Sequence, residues 1–247
     1  MMSRNISKRS RAIIAAIAAI ALTGLAGCAG QGDTAAQQPA PAAPSQSSSS
    51  ASAPAGTSER FATNLDEYID QILRQDSGQA ASEWQKTVLQ NAKGGKGISA
   101  SDYEKAWSNY TSCMTGKGYK PFNLDRYPNG IYHMPARMTG TPAQEQKYRS
   151  DYYDRYYANV DALDSVYSMQ VGNPSLIKDQ DEAIVDCLKR DNLVDKSYTA
   201  SDLRRERGLD GGKGRYSFDR RNMSVRGCLV ANGWVSSHPD EYVAELW

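Results

Sequence analysis

The stretch from Gln31 to Thr57 limits folding to one part of this 247-residue chain. It consists mainly of alanine, serine, glutamine and proline, and it contains no aromatic residue and no aliphatic residue larger than alanine. Such a segment cannot bury enough apolar surface to offset the entropy lost on folding, so we expect residues 28–57 to form a disordered linker. Folding is therefore confined to residues 58–247, which are enough for a sizeable core.

Residues 1–27 have the layout of a secretory signal. Four basic residues and no acidic residue come first, and an apolar run from Ala12 to Leu22 follows. This run is short for a helix that spans a bilayer. We therefore expect export of the chain, and no later apolar run is long enough to hold it across the membrane.

The four residues Leu25-Ala26-Gly27-Cys28 resemble the lipobox of bacterial lipoprotein signal peptides. The resemblance implies cleavage between Gly27 and Cys28 and a diacylglycerol, with further acyl lipid such as palmitate, on the new N-terminal cysteine. The alternatives are an ordinary secretory signal with a chance cysteine, or an uncleaved signal anchor. A lipid on Cys28 would anchor the protein to the cell membrane, on its extracytoplasmic face, without a spanning segment.

The mature chain has no excess of basic residues that would attract nucleic acid. The whole chain has 29 Lys and Arg against 28 Asp and Glu, and four of the basic residues belong to the leader. Removing the leader leaves 29 minus 4, or 25, basic residues against 28 acidic ones. We therefore expect no nucleic-acid partner.

The pattern of apolar residues in 58–247 predicts a mainly α fold, an irregular multi-helix bundle. Apolar residues recur at threes and fours, and no alternating run is long enough to indicate a sheet. Thr141-Pro142 begins the longest predicted helix, and Gly172-Asn173-Pro174 ends it. The predicted helices cover residues 64–75, 82–93, 101–114, 141–171 and about 175–188, a short segment after Thr199, and a last one from about Ser217.

Three predicted helix ends share one pattern: a cysteine, a leucine or methionine, three further residues, a glycine or asparagine, and a large apolar residue. The glycine or asparagine suits a left-handed residue just after the helix, and the apolar residue then folds back on the last turn. Each cysteine should therefore lie at the buried end of a helix. Duplication of a helical unit or three separate uses of one cap would both produce the pattern. The copies run from Cys113 to Tyr119, from Cys187 to Leu193 and from Cys228 to Trp234.

Export to an oxidising compartment favours a disulfide. With Cys28 acylated, Cys113, Cys187 and Cys228 allow three single bridges and leave one thiol over. We favour Cys187 with Cys228, because both end neighbouring helices that a short helix joins. This bridge would stabilise the fold by about 4 kcal/mol on the chain-entropy account.

Three segments resemble secreted or lipid-anchored proteins of high-GC Gram-positive, actinobacterial-type bacteria. They are residues 101–119, 167–174 and 183–188, and the resemblance covers most of residues 98–234. It implies an envelope lipoprotein and brings no activity with it.

The sequence offers no catalytic or metal-binding constellation. HExxH, GxSxG and paired CxxC motifs are absent. Residues 211–214 lack the spacing and the hydroxyl residue of a phosphate-binding loop, so we interpret them as a turn. The acidic residues Asp179, Asp181 and Glu182 fit the first turn of a helix better than a calcium loop. The only histidines, His133 and His238, adjoin no reactive cysteine in the pattern, so we expect no enzyme, no metal and no cofactor beyond the lipid.

Fifteen tyrosines against three phenylalanines leave one candidate for a binding face. Tyrosine combines apolar contact with a hydrogen-bonding tip, which suits a wet core as well as a surface for glycan or protein. The rows on the long helix could therefore be a packing face or an exposed platform, with a loop containing His133 as its rim. The possible binding face comprises Tyr148, Tyr152, Tyr153, Tyr156 and Tyr157 on the helix and Tyr127 and Tyr132 in the loop.

Two functions follow as hypotheses. The first is a non-enzymatic lipoprotein whose domain binds an envelope protein or a wall polymer. The second is an envelope hydrolase that uses Asp and Glu pairs on glycan or other wall material.

Overall fold

The structure, a computed structural model, describes residues 58–209 and 214–247. The predictions for the signal, the lipobox with Gly27 and Cys28, the linker and residues 211–213 concern parts of the chain outside these ranges.

The described residues form a mainly α domain, as predicted. None of their helices is both long and apolar enough to cross a membrane. Two pairs of very short strands accompany the helices: β1 is antiparallel to β2, and β3 is parallel to β4. The helices are α1 Leu65–Arg74, α2 Asp76–Ala80, α3 Glu83–Asn91, α4 Ala100–Gly116, α5 Pro142–Asn159, α6 Asp161–Gly172, α7 Gln180–Arg190, α8 Ala200–Glu206 and α9 Met223–Ala231, and the strands are β1 Asp125–Arg126, β2 Tyr132–His133, β3 Met138–Thr139 and β4 Ala244–Glu245.

The three predicted helix ends are confirmed at α4, α7 and α9. The second residue after each helix is left-handed, with φ of 92° at Gly118, 56° at Asn192 and 78° at Gly233. The following N–H donates to a carbonyl of the last turn, which completes a Schellman-type cap. The three cysteines are buried, as the pattern predicts. The capping bonds run from Tyr119 to Met114 at 3.3 Å, from Leu193 to Leu188 at 2.8 Å and from Trp234 to Leu229 at 2.9 Å.

The long helix predicted from Thr141 is two helices, because the backbone breaks at Val160, where φ is −128°. A side chain from α3 stabilises the break. Gln85 is fully buried and its amide donates to the carbonyls of Tyr157 at 3.3 Å and Ala158 at 2.8 Å. These carbonyls therefore have partners although the helix does not continue smoothly past them.

Three helix starts also differ from the prediction. The cap of α4 is Ser99, whose hydroxyl accepts from the N–H of Asp102 at 3.1 Å, so the predicted box at residue 101 lies inside the helix. Helix α7 starts at Gln180, five residues later than predicted, with Asp179 as its cap. Helix α9 starts at Met223 rather than near Ser217, because Glu206 accepts hydrogen bonds from both the backbone and the side chain of Ser217.

Residues ahead of α7 instead clamp the start of the domain. Arg60 forms an antiparallel bridge with Ile177. On either side of it, the N–H of Phe61 donates to Leu176 and the N–H of Lys178 donates to Glu59, both at 2.8 Å. The first described residues are thus bonded to the connection between α6 and α7.

The buried apolar side chains form two clusters. We call the first, which packs α1 to α6 with the loop before α5, the large core, and the second, built from α7, α8, α9 and Phe218, the small core. Helix α9 takes part in both, with Ala231 in the large core and Leu229 in the small one. A Cβ on Gly172 would lie 2.1 Å from that of Ala231, so only glycine permits this approach of α6 and α9.

The Cys187–Cys228 disulfide that the sequence favoured is present in the small core and joins α7 to α9, with 5.6 Å between the Cα atoms. Cys113 is 4% exposed at the end of α4. No cysteine of the described residues is a free thiol, so the expected leftover thiol is not found.

Candidate functional site

A cleft of about 420 Å³ lies along one side of α5. Its walls come from three parts of the chain: α5, the loop 133–139 and the C-terminal residues that follow β4. The lining is mostly aromatic and apolar, which is typical of ligand sites. The lining residues are His133, Met134, Pro135, Ala136, Met138, Thr139, Glu145, Tyr148, Arg149, Tyr152, Tyr153, Leu246 and Trp247.

The loop wall and the C-terminal wall are fastened to each other. Strand β3 pairs with β4, and the indole N–H of Trp247 donates to the carbonyl of Thr139 at 2.6 Å. Gly140 makes room for this contact, because a Cβ there would come within 2.7 Å of the indole nitrogen. The guanidinium of Arg137 also donates to the carbonyl of Pro239. The wall opposite α5 is therefore built from pairings between residues about a hundred positions apart.

Helix α5 supplies the aromatic wall. It begins at a capping box, in which Thr141 and Gln144 satisfy each other's backbone N–H groups, with Pro142 as the first helical residue. Tyr148 is buried, Tyr152 is half-buried, and Tyr153 is 51% exposed. Tyr152 packs against Tyr148 and Tyr153 with ring centroids 6.0 and 5.3 Å apart. The exposure of the tyrosines in this wall thus increases from the buried Tyr148 to the open surface at Tyr153.

Two carboxylates behind this wall fix α5 in place. Burial acts to raise the pKa of Asp151, but hydrogen bonds from Lys117, Lys147 and Tyr119 outweigh it and hold the pKa at about 2. These bonds are 2.6, 2.6 and 2.8 Å long. They tie α5 to the end of α4 with an ionised group.

The second carboxylate, Asp164 on α6, accepts hydrogen bonds from the hydroxyls of Tyr103 on α4 and Tyr156 on α5, the latter at 2.7 Å. Burial raises the pKa of Asp164, and the two hydroxyls offset part of that rise. Burial likewise raises the pKa of both tyrosines. The arrangement makes α4, α5 and α6 one rigid unit, so the cleft wall is preorganised.

The possible binding face predicted from sequence is only partly exposed. Tyr127 and Tyr148 are 2% and 8% exposed, so both belong to the large core rather than to an open platform. Tyr132 is half-buried, and its hydroxyl donates to Glu104 at 3.1 Å. Of the residues predicted to form the rim, His133 is the one that lines the cleft, and its Nδ1 lies 2.6 Å from the carbonyl of Met134.

The remaining members of that face divide between core and surface. Tyr156 is half-buried, with its hydroxyl on Asp164. Tyr157 is 38% exposed and stacks on Tyr153 with centroids 6.2 Å apart. The structure thus brings Tyr148, Tyr152 and Tyr153 to the cleft.

Several lining residues were missed by the sequence interpretation. Glu145 and Arg149 share a helical face with Tyr152 and Tyr148, so the i, i+4 spacing could have found them. Met138 and Trp247 have no such local signal, because their place in the cleft depends on the pairing of β3 with β4.

Within residues 58–209 and 214–247, the clustered groups that could hold a metal ion are already bonded to other groups of the protein. Ligand atoms of Cys187, Asp191 and Cys228 lie within 4.8 Å of one another, but both sulfur atoms belong to the disulfide. In the predicted acidic run, Asp179 and Asp181 both bind Arg204, at 2.6 and 3.0 Å. These carboxylates act as a cap and as ion-pair partners of α8.

Comparison with known proteins gives no relative: no protein-family model, curated protein or solved structure matches the chain.

Proposed function

We propose that this chain is a membrane-anchored extracytoplasmic lipoprotein whose helical domain is a non-enzymatic binding module at the cell envelope. The observation that carries the binding role is the cleft beside α5, which combines aromatic and apolar walls with a half-exposed Tyr153. Its volume lies in the range of ligand sites. The anchoring role is supported by the leader and by the lipobox that ends at Cys28.

The cleft supports binding better than the alternative, hydrolysis of glycan. Hydrolysis by a carboxylate pair needs two carboxyl groups roughly 5 to 10 Å apart across the scissile bond. Glu145 is the one Asp or Glu among the residues that line this cleft. A single carboxylate can accept hydrogen bonds from a ligand but does not supply the acid and the nucleophile or base together.

The anchor is tested by mass spectrometry of the mature N-terminal peptide and by membrane fractionation. We expect the wild-type peptide to begin at Cys28 with the mass of a bound lipid, and the protein to sediment with membranes. The Cys28→Ala variant should lose the lipid. An unreduced Cys28 peptide joined to another cysteine, rather than acylated, would contradict this part of the proposal.

The binding role is tested by capture on purified cell wall and on solubilised envelope protein, with the full-length protein in detergent. We expect capture by one of these fractions, and its loss in Tyr153→Ala. Tyr242→Ala is the matched control, because Tyr242 is 50% exposed, as Tyr153 is 51% exposed, but it does not line the cleft. Capture by neither fraction, or equal loss in both variants, would count against binding through the cleft.

A further inference from the structure

Two charged residues in the cleft have no partner in the described part of the chain. Glu145 and Arg149 are exposed, lie four positions apart on α5 and both line the cleft. The same spacing forms an ion pair elsewhere: Lys147 binds Asp151 at 2.6 Å, and Arg190 on α7 binds Asp186 at 3.4 Å. The cleft thus presents an acceptor and a donor side by side, neither of them used by the fold.

This pair defines the charge of a suitable ligand. A ligand with a carboxylate or phosphate would be attracted by Arg149 but repelled by Glu145, and an ammonium group would meet the reverse. A purely apolar ligand would remove both charges from water without giving them partners, which is costly. A neutral ligand with several hydrogen-bonding groups satisfies both, as would a zwitterion whose two charges match the spacing of the pair.

Neighbouring hydroxyl groups match the pair without requiring two opposite charges at one fixed spacing. Each hydroxyl both donates and accepts, so one can donate to the Glu145 carboxylate while the next accepts from the Arg149 guanidinium. Hydrogen bonds of this kind, with one charged partner, are stronger than neutral ones. The half-exposed ring of Tyr153 adds an apolar surface for the C–H face of a sugar ring.

We propose that the cleft binds a neutral pyranose unit of a wall glycan, with Tyr153 against the ring face and with Glu145 and Arg149 on adjacent hydroxyls. This inference rests on the proposed function, because the anchor is what places the cleft beside such a polymer. It goes further by choosing a saccharide over a protein partner and by assigning the two charged residues to its recognition.

The experiment is calorimetric titration of the full-length protein in detergent with three neutral tetrasaccharides: chitotetraose, cellotetraose and mannotetraose. We expect at least one to bind. We expect Glu145→Gln and Arg149→Met each to weaken that binding about tenfold, as loss of a charge-assisted hydrogen bond predicts. Asp154→Asn is the matched control, since Asp154 is exposed on α5, lies outside the cleft lining and has no ion pair with another described residue.

A charged sugar separates recognition from a structural effect. We expect tetragalacturonate to bind wild type more weakly than the neutral sugar does, and to bind Glu145→Gln more tightly than it binds wild type, because the repelling carboxylate is gone. A variant that is merely destabilised would bind both the neutral and the charged sugar more weakly than wild type does. Binding of no neutral sugar, or unchanged binding in both charge variants, overturns the inference. If capture on cell wall or on envelope protein is still lost in Tyr153→Ala in that case, the proposed binding function stands without the saccharide inference.

Discussion

The large core contains 28 buried apolar residues and the small core ten, counted over the part of the chain that the structure describes. Seven residues of the large core are tyrosines, and the hydroxyls of two of them, Tyr103 and Tyr119, donate to Asp164 and Asp151. The small core has one bond of this kind, from Tyr198 to Glu206, and it also contains the Cys187–Cys228 disulfide. The small core therefore adds a covalent cross-link between two of its helices to the kind of tyrosine–carboxylate bond that both cores contain.

The difference follows from size. A cluster of ten side chains offsets little of the entropy of three helices and their connections, and a covalent cross-link lowers the entropy of the unfolded chain instead. The large core buries enough apolar area to accommodate polar groups, provided that each finds a partner. The hydroxyls of Tyr103 and Tyr119 meet that condition on buried carboxylates, which explains the choice of tyrosine over phenylalanine at these two positions.

The largest expected effect comes from removing the disulfide. The double variant Cys187→Ser/Cys228→Ser opens a 41-residue loop and should lower the free energy of unfolding by about 4 kcal/mol in urea titrations. Hydrogen exchange should quicken in α7, α8 and α9, while amides of α1 to α6 stay protected. Equal loss of protection in both cores would show that they unfold as one unit and would end the distinction between them.

A smaller effect is expected where the two cores meet. In Gly172→Ala, the new methyl group would overlap Ala231, so α6 and α9 must move apart, at a cost of about 2 kcal/mol in urea unfolding. Gly116→Ala is the matched control, because Gly116 also ends a helix but a Cβ there meets nothing within 4 Å. That variant should be neutral or more stable by up to about 1 kcal/mol. Equal stability of the two variants would mean that the contact between cores is loose.

The smallest effect concerns acid stability of the large core. The pKa of Asp151 is about 2 in the folded protein, below its ordinary 3.8. Its contribution is thus present above pH ~4 and is lost as the pH falls from about 4 to about 2. We expect about 1 kcal/mol, less than the full shift implies, because Lys147 is half exposed.

Urea unfolding of Asp151→Asn between pH 2 and pH 7 measures this contribution. The variant should be less stable than wild type at pH 7 and similar to it at pH 2. Asp154→Asn, three positions along the same helix, should follow the wild-type curve, since Asp154 has no ion pair in the described residues. A gap between wild type and Asp151→Asn that persists at pH 2 would assign the loss to packing rather than to charge.

Features that depend on neighbouring residues could be predicted from the sequence. The helix caps at Gly118, Asn192 and Gly233 follow from a left-handed residue and the apolar residue after it, both within one turn. The cap pattern is common to all three cysteines, and Cys187–Cys228 is favoured among the three possible bridges because only a short helix separates the two helices.

Features that depend on distant contacts could not be predicted. The break at Val160 is stabilised by Gln85, more than seventy positions away, and the helical periodicity continues through it unchanged. The cleft needs the pairing of β3 with β4, whose two-residue strands carry no pattern. Burial of Tyr127 and exposure of Tyr153 likewise depend on the tertiary packing around each ring.

The bridge between Arg60 and Ile177 determines where mechanical load would enter the domain. A pull on the chain ahead of Ser58 would act first on the hydrogen bonds that join residues 59–61 to residues 176–178. Those bonds lead to the connection between α6 and α7, so tension would be shared by the helices of both cores instead of unravelling α1 alone. In a domain held on a tether, these hydrogen bonds would therefore keep the pulling force from acting on α1 alone.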